Sequence, residues 1–458
     1  MRPRPTPDLS DLRLGVPAAL VALTLLLAVV WANLRLPLVE HYERRLARHA
    51  SFNYTPAMLV CQKRLLSLEP DRPELRFALA KSHERLGDIS RAEALLRSLA
   101  PTDRPGYLPA HEWLARRAYS QRFQPGRAKE AEQHCLMILK ALPNASQTQA
   151  LLGLLYLELG RHQEARRMLS TVAKENPLLL LALANSCAAL GDHAAARQHT
   201  EAAHRAAKEN GEAHPDDPTA QLLWSKSYLA QGNFQAAIDV LSKADPDKTP
   251  GFRSEIASVY AAWATAILRS GRPQSAVLLS VFERGLTLEP KHEPLLNTLV
   301  LSLISGGPLA STVRTRLESK LGGGPLAAPF HFALGNEAWA DGRQVEARDH
   351  WEAAYKLNPN IPMLSNNLAY SLAYTPPADP ARALALADLV LSQSQGDPRM
   401  RLTRGQILSR LGRWTEAVTE LEHALSEGET SDDTHNALAE AYEAVGQKGK
   451  AAEHRRGL

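Results

Sequence analysis

Apolar residues recur at helical spacing along almost the whole chain. Between Ser146 and Pro177 they form two short amphipathic segments. Leu152, Gly153 and Tyr156 share one face of the first, at i, i+1 and i+4; Ala165, Leu169 and Val172 share one face of the second, at i, i+4 and i+7. Gly160 separates the two, where a residue free to take positive φ ends a helix. Pro177 is expected to stop the second segment, because proline lacks the N–H and clashes with the preceding turn.

The same two-helix pattern returns along the chain. Turn glycines fall at Gly87, Gly126, Gly160, Gly191, Gly232, Gly271, Gly307, Gly342, Gly412 and Gly446. Gly126 to Gly160 and Gly412 to Gly446 are both 34 residues apart. Gly342 to Gly412 is 70, room for one repeat without the glycine, which reads NNLAYSLA from Asn366. An alanine recurs in the second segment at Ala92, Ala131, Ala165, Ala196, Ala237, Ala347, Ala383, Ala417 and Ala451. It marks the point where two helices cross, and a larger side chain there would push them apart. One such hairpin cannot bury its apolar face, so neighbours must stack and share a core.

The residues Leu152, Gly153, Tyr156, Ala165 and Pro177 resemble the tetratricopeptide repeat, W-x2-L-G-x2-Y, A-x3-F, P. The resemblance covers roughly residues 55–458, with its best copies at 146–177, 326–359 and 398–425. In those copies Gly153, Gly160, Ala165, Gly335, Gly342, Ala347, Gly412 and Ala417 occupy structural positions of the repeat. It implies an all-α fold: an α-solenoid, a right-handed superhelix of helical hairpins. The layout is similar to that of bacterial membrane-anchored members of the family.

Ahead of the repeats, residues 1–13 form a proline-rich tail. Residues 14–34 hold no charge and are bounded by Arg13 and Arg35. As a helix this run spans about 30 Å, the thickness of a bilayer core. It is longer than the apolar core of a signal peptide, about 7–15 residues. The reading is one N-terminal transmembrane helix, with a signal peptide cleaved near Val30-Trp31-Ala32 as the alternative. Arg2, Arg4 and Arg13 on one side nearly balance Arg35, Arg44, Arg45 and Arg48 on the other. A short tail kept inside would export the repeats, so the expectation is a single-pass protein of the bacterial inner membrane with exported repeats. Residues 38–70 then read as a lead-out helix with a degenerate first repeat, 71–305 as an N-terminal array, 306–325 as a degenerate repeat with a Gly-rich joint, and 326–458 as a C-terminal array.

Charge and chemistry change this picture little. Net charge is +4; residues 1–140 hold 22 Lys/Arg against 14 Asp/Glu, the remainder 31 against 35. The basic third suits an anionic lipid surface or an acidic partner, though interspersed signs also simply solvate helix faces. Cys61, Cys135 and Cys187 form no C-x-x-C pair. His193, His199 and His204 are six and five residues apart, not the three or four that place side chains together on a helix. The P-loop, H-E-x-x-H and G-x-S-x-G patterns are absent from the sequence. The expectation is a protein that is not an enzyme, with no catalytic residues, no metal, no cofactor and no nucleic-acid partner.

Binding residues come from the resemblance alone. The family's first helices line the ligand face, and counting from the turn glycines places Asn336, Asn367 and Arg399 on it. The three look like part of the carboxylate clamp of chaperone-binding members, in which two amides and an Arg fork hold a C-terminal carboxylate. Phe332 and Thr403 depart from the clamp's basic positions, with Arg401 and Arg404 nearby to compensate. Asn366-Asn367 as a helix cap is the bland alternative. The function implied is a membrane-anchored scaffold that binds a peptide or protein partner. The alternative is a subunit of an envelope glycosyltransferase or cytochrome-maturation type system.

Overall fold

The computed structural model describes residues 10–244, 249, 251–271, 275–361, 363–393 and 397–456; within helices, the side chains at 10–19, 22, 28, 31–34 and 393 are not among those described. Every regular element among the described residues is a helix. The N-terminal part holds α1 (Ser10–Ser51), α2 (Thr55–Leu68), α3 (Pro73–Arg85), α4 (Ile89–Leu99), α5 (Leu108–Ser120), α6 (Arg127–Ala141), α7 (Ser146–Glu158), α8 (His162–Leu169) and α9 (Pro177–Ala189). The long α10 (His193–Ala213) follows. Next come α11 (Pro218–Ala230), α12 (Phe234–Lys243), α13 (Phe252–Arg269), α14 (Ser275–Leu288), α15 (Glu293–Ile304), α16 (Gly307–Glu318), α17 (Ala327–Ala340) and α18 (Gln344–Leu357). The last are α19 (Leu364–Tyr374), α20 (Pro380–Gln393), α21 (Pro398–Arg410), α22 (Trp414–Ser426), α23 (Asp432–Ala444) and α24 (Lys448–Arg456).

Consecutive helices pack as hairpins, and the turn chemistry explains why they fold back. Gly160 takes φ +70°, its N–H bonds to the Leu157 carbonyl at 3.1 Å, and the Arg161 N–H reaches the Tyr156 carbonyl at 2.8 Å. Gly342 repeats this at φ +78°, with Arg343 N–H to the Ala338 carbonyl at 2.8 Å. These bonds satisfy carbonyls that the ending helix leaves open. Helix starts are fixed by short polar side chains: Asp88, Asn176, Asp217, Asn233 and Asp397 each accept a first-turn N–H. Pro177 works differently from expectation. The helix before it, α8, already ends at Leu169, and Pro177 opens α9 behind the Asn176 cap. A first-turn N–H has no helical partner to lose, so proline fits there.

The small residues lie at the hairpin crossings. Ala165, Ala347 and Ala417 are fully buried. A Cβ at Gly153 would stand 2.7 Å from Leu169, and one at Gly335 would stand 2.6 Å from Trp351. Real contacts are never that short, so the glycines let a leucine or a tryptophan of the second helix lie directly on the first.

The chain divides into two compact units, Met1–Ala206 and Ala207–Leu458. The division falls within α10, the long second helix, rather than at residues 306–325. That stretch lies inside the second unit, whose apolar core runs from Ala237 to Ala451 and includes Val313 and Leu317 of α16. The Glu337 carboxylate on α17 is almost wholly buried and pairs with Arg314 of α16 and, at 2.7 Å, with Arg343. A buried carboxylate holding two guanidinium groups ties α16 to α17, because losing either cation leaves a buried charge only partly compensated. The glycines at 322–324 therefore make a turn within a packed unit.

At the N-terminus, the expected span and the lead-out helix are one uninterrupted helix, α1. Val39 packs with Leu65 and Leu75, and Arg35 and Glu43 approach Glu69 and Arg72 of the α2–α3 turn at 3.9 and 2.9 Å. Among the described residues no helix is long and apolar enough to cross a membrane. The side chains at 14–19, 22, 28 and 31–34 of the expected span lie outside that description.

The crossing geometry predicts that Ala347→Leu costs about 1–3 kcal/mol by overpacking. Urea unfolding of the variant against the parent chain checks it, and an unchanged midpoint refutes it.

Candidate functional site on the first helices of the second unit

In the second unit α17, α19 and α21 are the first helices of successive hairpins. Residues at i+3 and i+4 share a helix face, and on these helices that face is polar and aromatic: Asn336 and Trp339, then Asn367, Tyr370 and Tyr374, then Gln406 and Arg410. The three helices are joined through these side chains. The Asn367 Nδ2 donates to Asn336 Oδ1 at 2.8 Å. The Trp339 and Tyr370 rings meet edge-on at 5.9 Å, and Tyr370 stacks on Tyr374 at 4.7 Å. Tyr374 Oη donates to the Gln406 carbonyl at 2.9 Å, and the Arg410 guanidinium lies 5.8 Å from the Tyr374 ring. Both amides and both tyrosines are half-buried, and Arg410 is exposed.

Packing sets the electrostatics of this strip. Burial raises the Tyr374 hydroxyl to about 12, with Tyr370 and Glu440 adding to the effect. Burial, with Asp433 beyond it, also raises Tyr370. Both phenols are therefore neutral donors across the physiological range. The bond between Asn367 and Asn336 uses one donor and one acceptor. It leaves one donor, the Asn336 Nδ2, and one acceptor, the Asn367 Oδ1, open. A peptide group offers the complementary pair.

Of the three residues expected to bind, the structure joins Asn336 and Asn367 in one hydrogen bond. Arg399 starts α21 and lies 3.4 Å from Asp397, the cap of the same helix. Phe332 is buried in the core. Thr403 donates to Asn366 at 2.7 Å. Arg401 pairs with Glu420 and Glu427, and Arg404 with Asp388 and Glu420, so neither substitutes for the missing cation. The capping alternative also falls away, since α19 begins at Leu364 and neither asparagine precedes it. The tyrosines were the residues that sequence reasoning missed. Their signal was the four-residue spacing of Tyr370 and Tyr374 beside the amide pair.

The remaining candidates are structural. Cys61, Cys135 and Cys187 are free and buried, and burial pushes the Cys135 thiol up to about 12. Such a thiol is inert at neutral pH. Among the described residues no three His, Cys, Asp or Glu side chains gather in a metal-binding group. Trp351 is buried against Gly335, while Trp113 donates to Glu84 at 2.9 Å.

Removing one amide of the pair costs a single inter-helix hydrogen bond. Asn367→Ala is expected to lower stability by about 1 kcal/mol, read as a shift in the urea midpoint of the second unit's unfolding. A loss several times larger would mean that the amide carries more than this bond.

Comparison with known proteins agrees with the hairpin geometry. Two family profiles described as tetratricopeptide repeat match, one at residues 151–211 and 198–251, the other at 73–98 and 328–353. No curated protein matches this sequence. Among solved structures, the P58(IPK) TPR domain aligns at 16% identity over 89% of this chain and 98% of its own, with a TM-score of 0.28. Yeast Tom70 aligns at 14% over 84% and 91%, TM-score 0.31. Human IFIT1, solved as a dimer with m7Gppp-AAAA, aligns at 15% over 85% and 90%, TM-score 0.34. The matched segments fall on both sides of the division in α10 and coincide with hairpins built on the same turn and crossing residues. The chain carries tetratricopeptide repeats at these matched segments.

Proposed function

We propose that this chain is a non-catalytic scaffold, held at a membrane by its N-terminal helix, that binds an extended protein segment on the first-helix face of its second unit. The observation that supports the binding face is the half-open amide pair beside stacked tyrosines. Asn336 Nδ2 and Asn367 Oδ1 are free to take a partner's peptide group, and the neighbouring rings offer apolar area at little entropic cost. The repeat family supports the class of partner, a protein.

The membrane part rests on the first helix. Leu20, Val21, Leu23, Leu25, Leu26, Leu27, Val29 and Val30 are all exposed, on every side of α1. A helix that is apolar all round needs an apolar surrounding, and 21 uncharged residues at 14–34 are enough to span a bilayer. We place the protein in a bacterial inner membrane with the repeats exported, on the argument that a short N-terminal tail stays inside.

Two experiments test this. A photo-crosslinking residue at Gln406 is expected to capture a protein partner in native membranes, and one at Glu352, on the second helix α18, is not. Equal capture at both sites, or capture surviving Asn336→Ala with Tyr370→Ala, would sink the binding face. After an alkaline carbonate wash the full chain should stay with the membrane and a chain starting at residue 35 should not; in intact cells stripped of their outer layer, added protease should reach the repeats. Release of the full chain by the wash removes the anchor, and protected repeats reverse the orientation.

A further inference from the structure

Three hairpins carry the same side-chain pair at the same place. His111 on α5 faces His134 on α6, His331 on α17 faces His350 on α18, and His435 on α23 faces His454 on α24. In each pair the two Nδ1 atoms are 2.9 Å apart. The register is fixed. His331 and His435 stand 11 residues before their turn glycines, Gly342 and Gly446. His134, His350 and His454 stand 8 residues after theirs. The first pair spans a longer turn, which moves His111 further from Gly126. In the α21–α22 hairpin the same two positions hold Arg401 and Glu420, an ion pair at 3.5 Å. The α9–α10 hairpin has His199 at the second position opposite Leu180 and so lacks the pair. The crossing thus accepts a matched polar couple, and three times both members are histidine.

Two imidazole nitrogens at 2.9 Å share one proton: one ring donates, the other accepts, and both rings are neutral. Protonating the acceptor turns it into a second donor and leaves two N–H groups face to face, with a charge added in a half-buried seam. Arg401 and Glu420 are held together by opposite charge and do not depend on one shared proton.

We propose that the three histidine pairs are proton-sensitive latches that close their hairpins at neutral pH and open them in acid, and that opening the second pair weakens the grip of the α17–α19–α21 face on its partner. The second pair joins α17, which carries Asn336 and Trp339, to its own second helix. The consequence for a partner rests on the binding reading above, whereas the latch itself does not.

Charges of both signs surround each pair. Glu130 lies 4.0 Å from the His134 Nε2, Arg97 faces it from α4, and the backbone of Arg104 and Gly106 lies against His111. Around the second pair are Glu346 and Asp349 of α18, Glu318 of α16 and Arg343. Around the third are Glu422 of α22 with Glu453 and Lys450 of α24, and Tyr442 stacks on His454. Burial holds His111, His331, His350 and His454 below the ordinary imidazole value and takes His134 down to about 4; the facing histidine adds to this at His134, His331 and His454. The unfolded chain takes up these protons near pH ~6.5. With the folded values depressed, the latch contribution is complete above about 6.5 and is lost as pH falls toward the folded values; for His134 that window ends near 4.

Hydrogen exchange on the full chain in detergent micelles, corrected for intrinsic rates, tests the latch at pH 7.2 and 5.2. The α17–α18 and α23–α24 hairpins are expected to lose protection at least tenfold in acid, while α21–α22 keeps its own. Equal behaviour of the three hairpins overturns the proposal without any variant. Replacing one pair by its ionic counterpart, His331→Arg with His350→Glu, is expected to remove the acid loss in α17–α18 alone; an undiminished loss there overturns it. Crosslinking yield from Gln406 separates the two readings. A yield that falls at pH 5.2 in the parent chain and holds in the double variant supports the coupling, and one that ignores pH while the hairpins open overturns it. No capture at either pH refutes the binding face and leaves the latch to the exchange data.

Discussion

The close approach of two helices at a residue with almost no side chain is the constraint on which everything else in this molecule depends. Ala165, Ala347 and Ala417 are fully buried at the crossings. Gly153 and Gly335 carry the same economy further, giving a leucine or tryptophan of the second helix direct access to the backbone of the first. Once the crossing is this tight, the first and second helices of a hairpin cannot slide or rotate independently. The next hairpin then has a fixed surface to stack on, and the buried apolar side chains of the second unit join into a single core.

Tight crossings also decide what happens to polar residues. A couple placed at the seam must satisfy itself, since little water reaches it. Arg401 with Glu420 and the histidine couples are alternative solutions at one address. Glu337 is a third kind, a carboxylate held by cations from two directions where α16 meets α17. By contrast, the amides and tyrosines of the α17–α19–α21 face sit between first helices of successive hairpins. There hydrogen-bonding capacity is left over.

Much of this was legible in the residues. Glycine and alanine at a period of 34 locate the turns and crossings, because only those side chains fit there, and the hairpins lie where that period puts them. The length of α10 is legible in the interval from Gly191 to Gly232, 41 residues where a regular repeat has 34. The division of the chain was not. A run of three glycines at 322–324 suggests a break, but Val313, Leu317 and the Glu337 ion pairs come from residues whose partners are far along the chain, and local composition says nothing of them. Pro177 was misread for a related reason: a proline both follows one helix and begins another, and only the Asn176 cap shows which. The binding residues were half legible. The amide pair follows from repeat numbering, whereas Arg399 turns to Asp397, a partner two residues away that no repeat position encodes.

The first helix adds a property of a different kind. From Ser10 to Ser51 it runs without a break, and its second half is already part of the first hairpin through Val39, Leu65 and Leu75. In the proposed anchor there is then no swivel between lipid and repeat. Each residue of a helix turns about 100° from the last, so the number of residues between the bilayer and Val39 sets a compass bearing. One inserted residue would swing the first hairpin by more than a quarter of a circle while raising it by only about 1.5 Å. The anchor would act less as a tether than as an axle, and the length of sequence around Arg35 as the key that sets its angle.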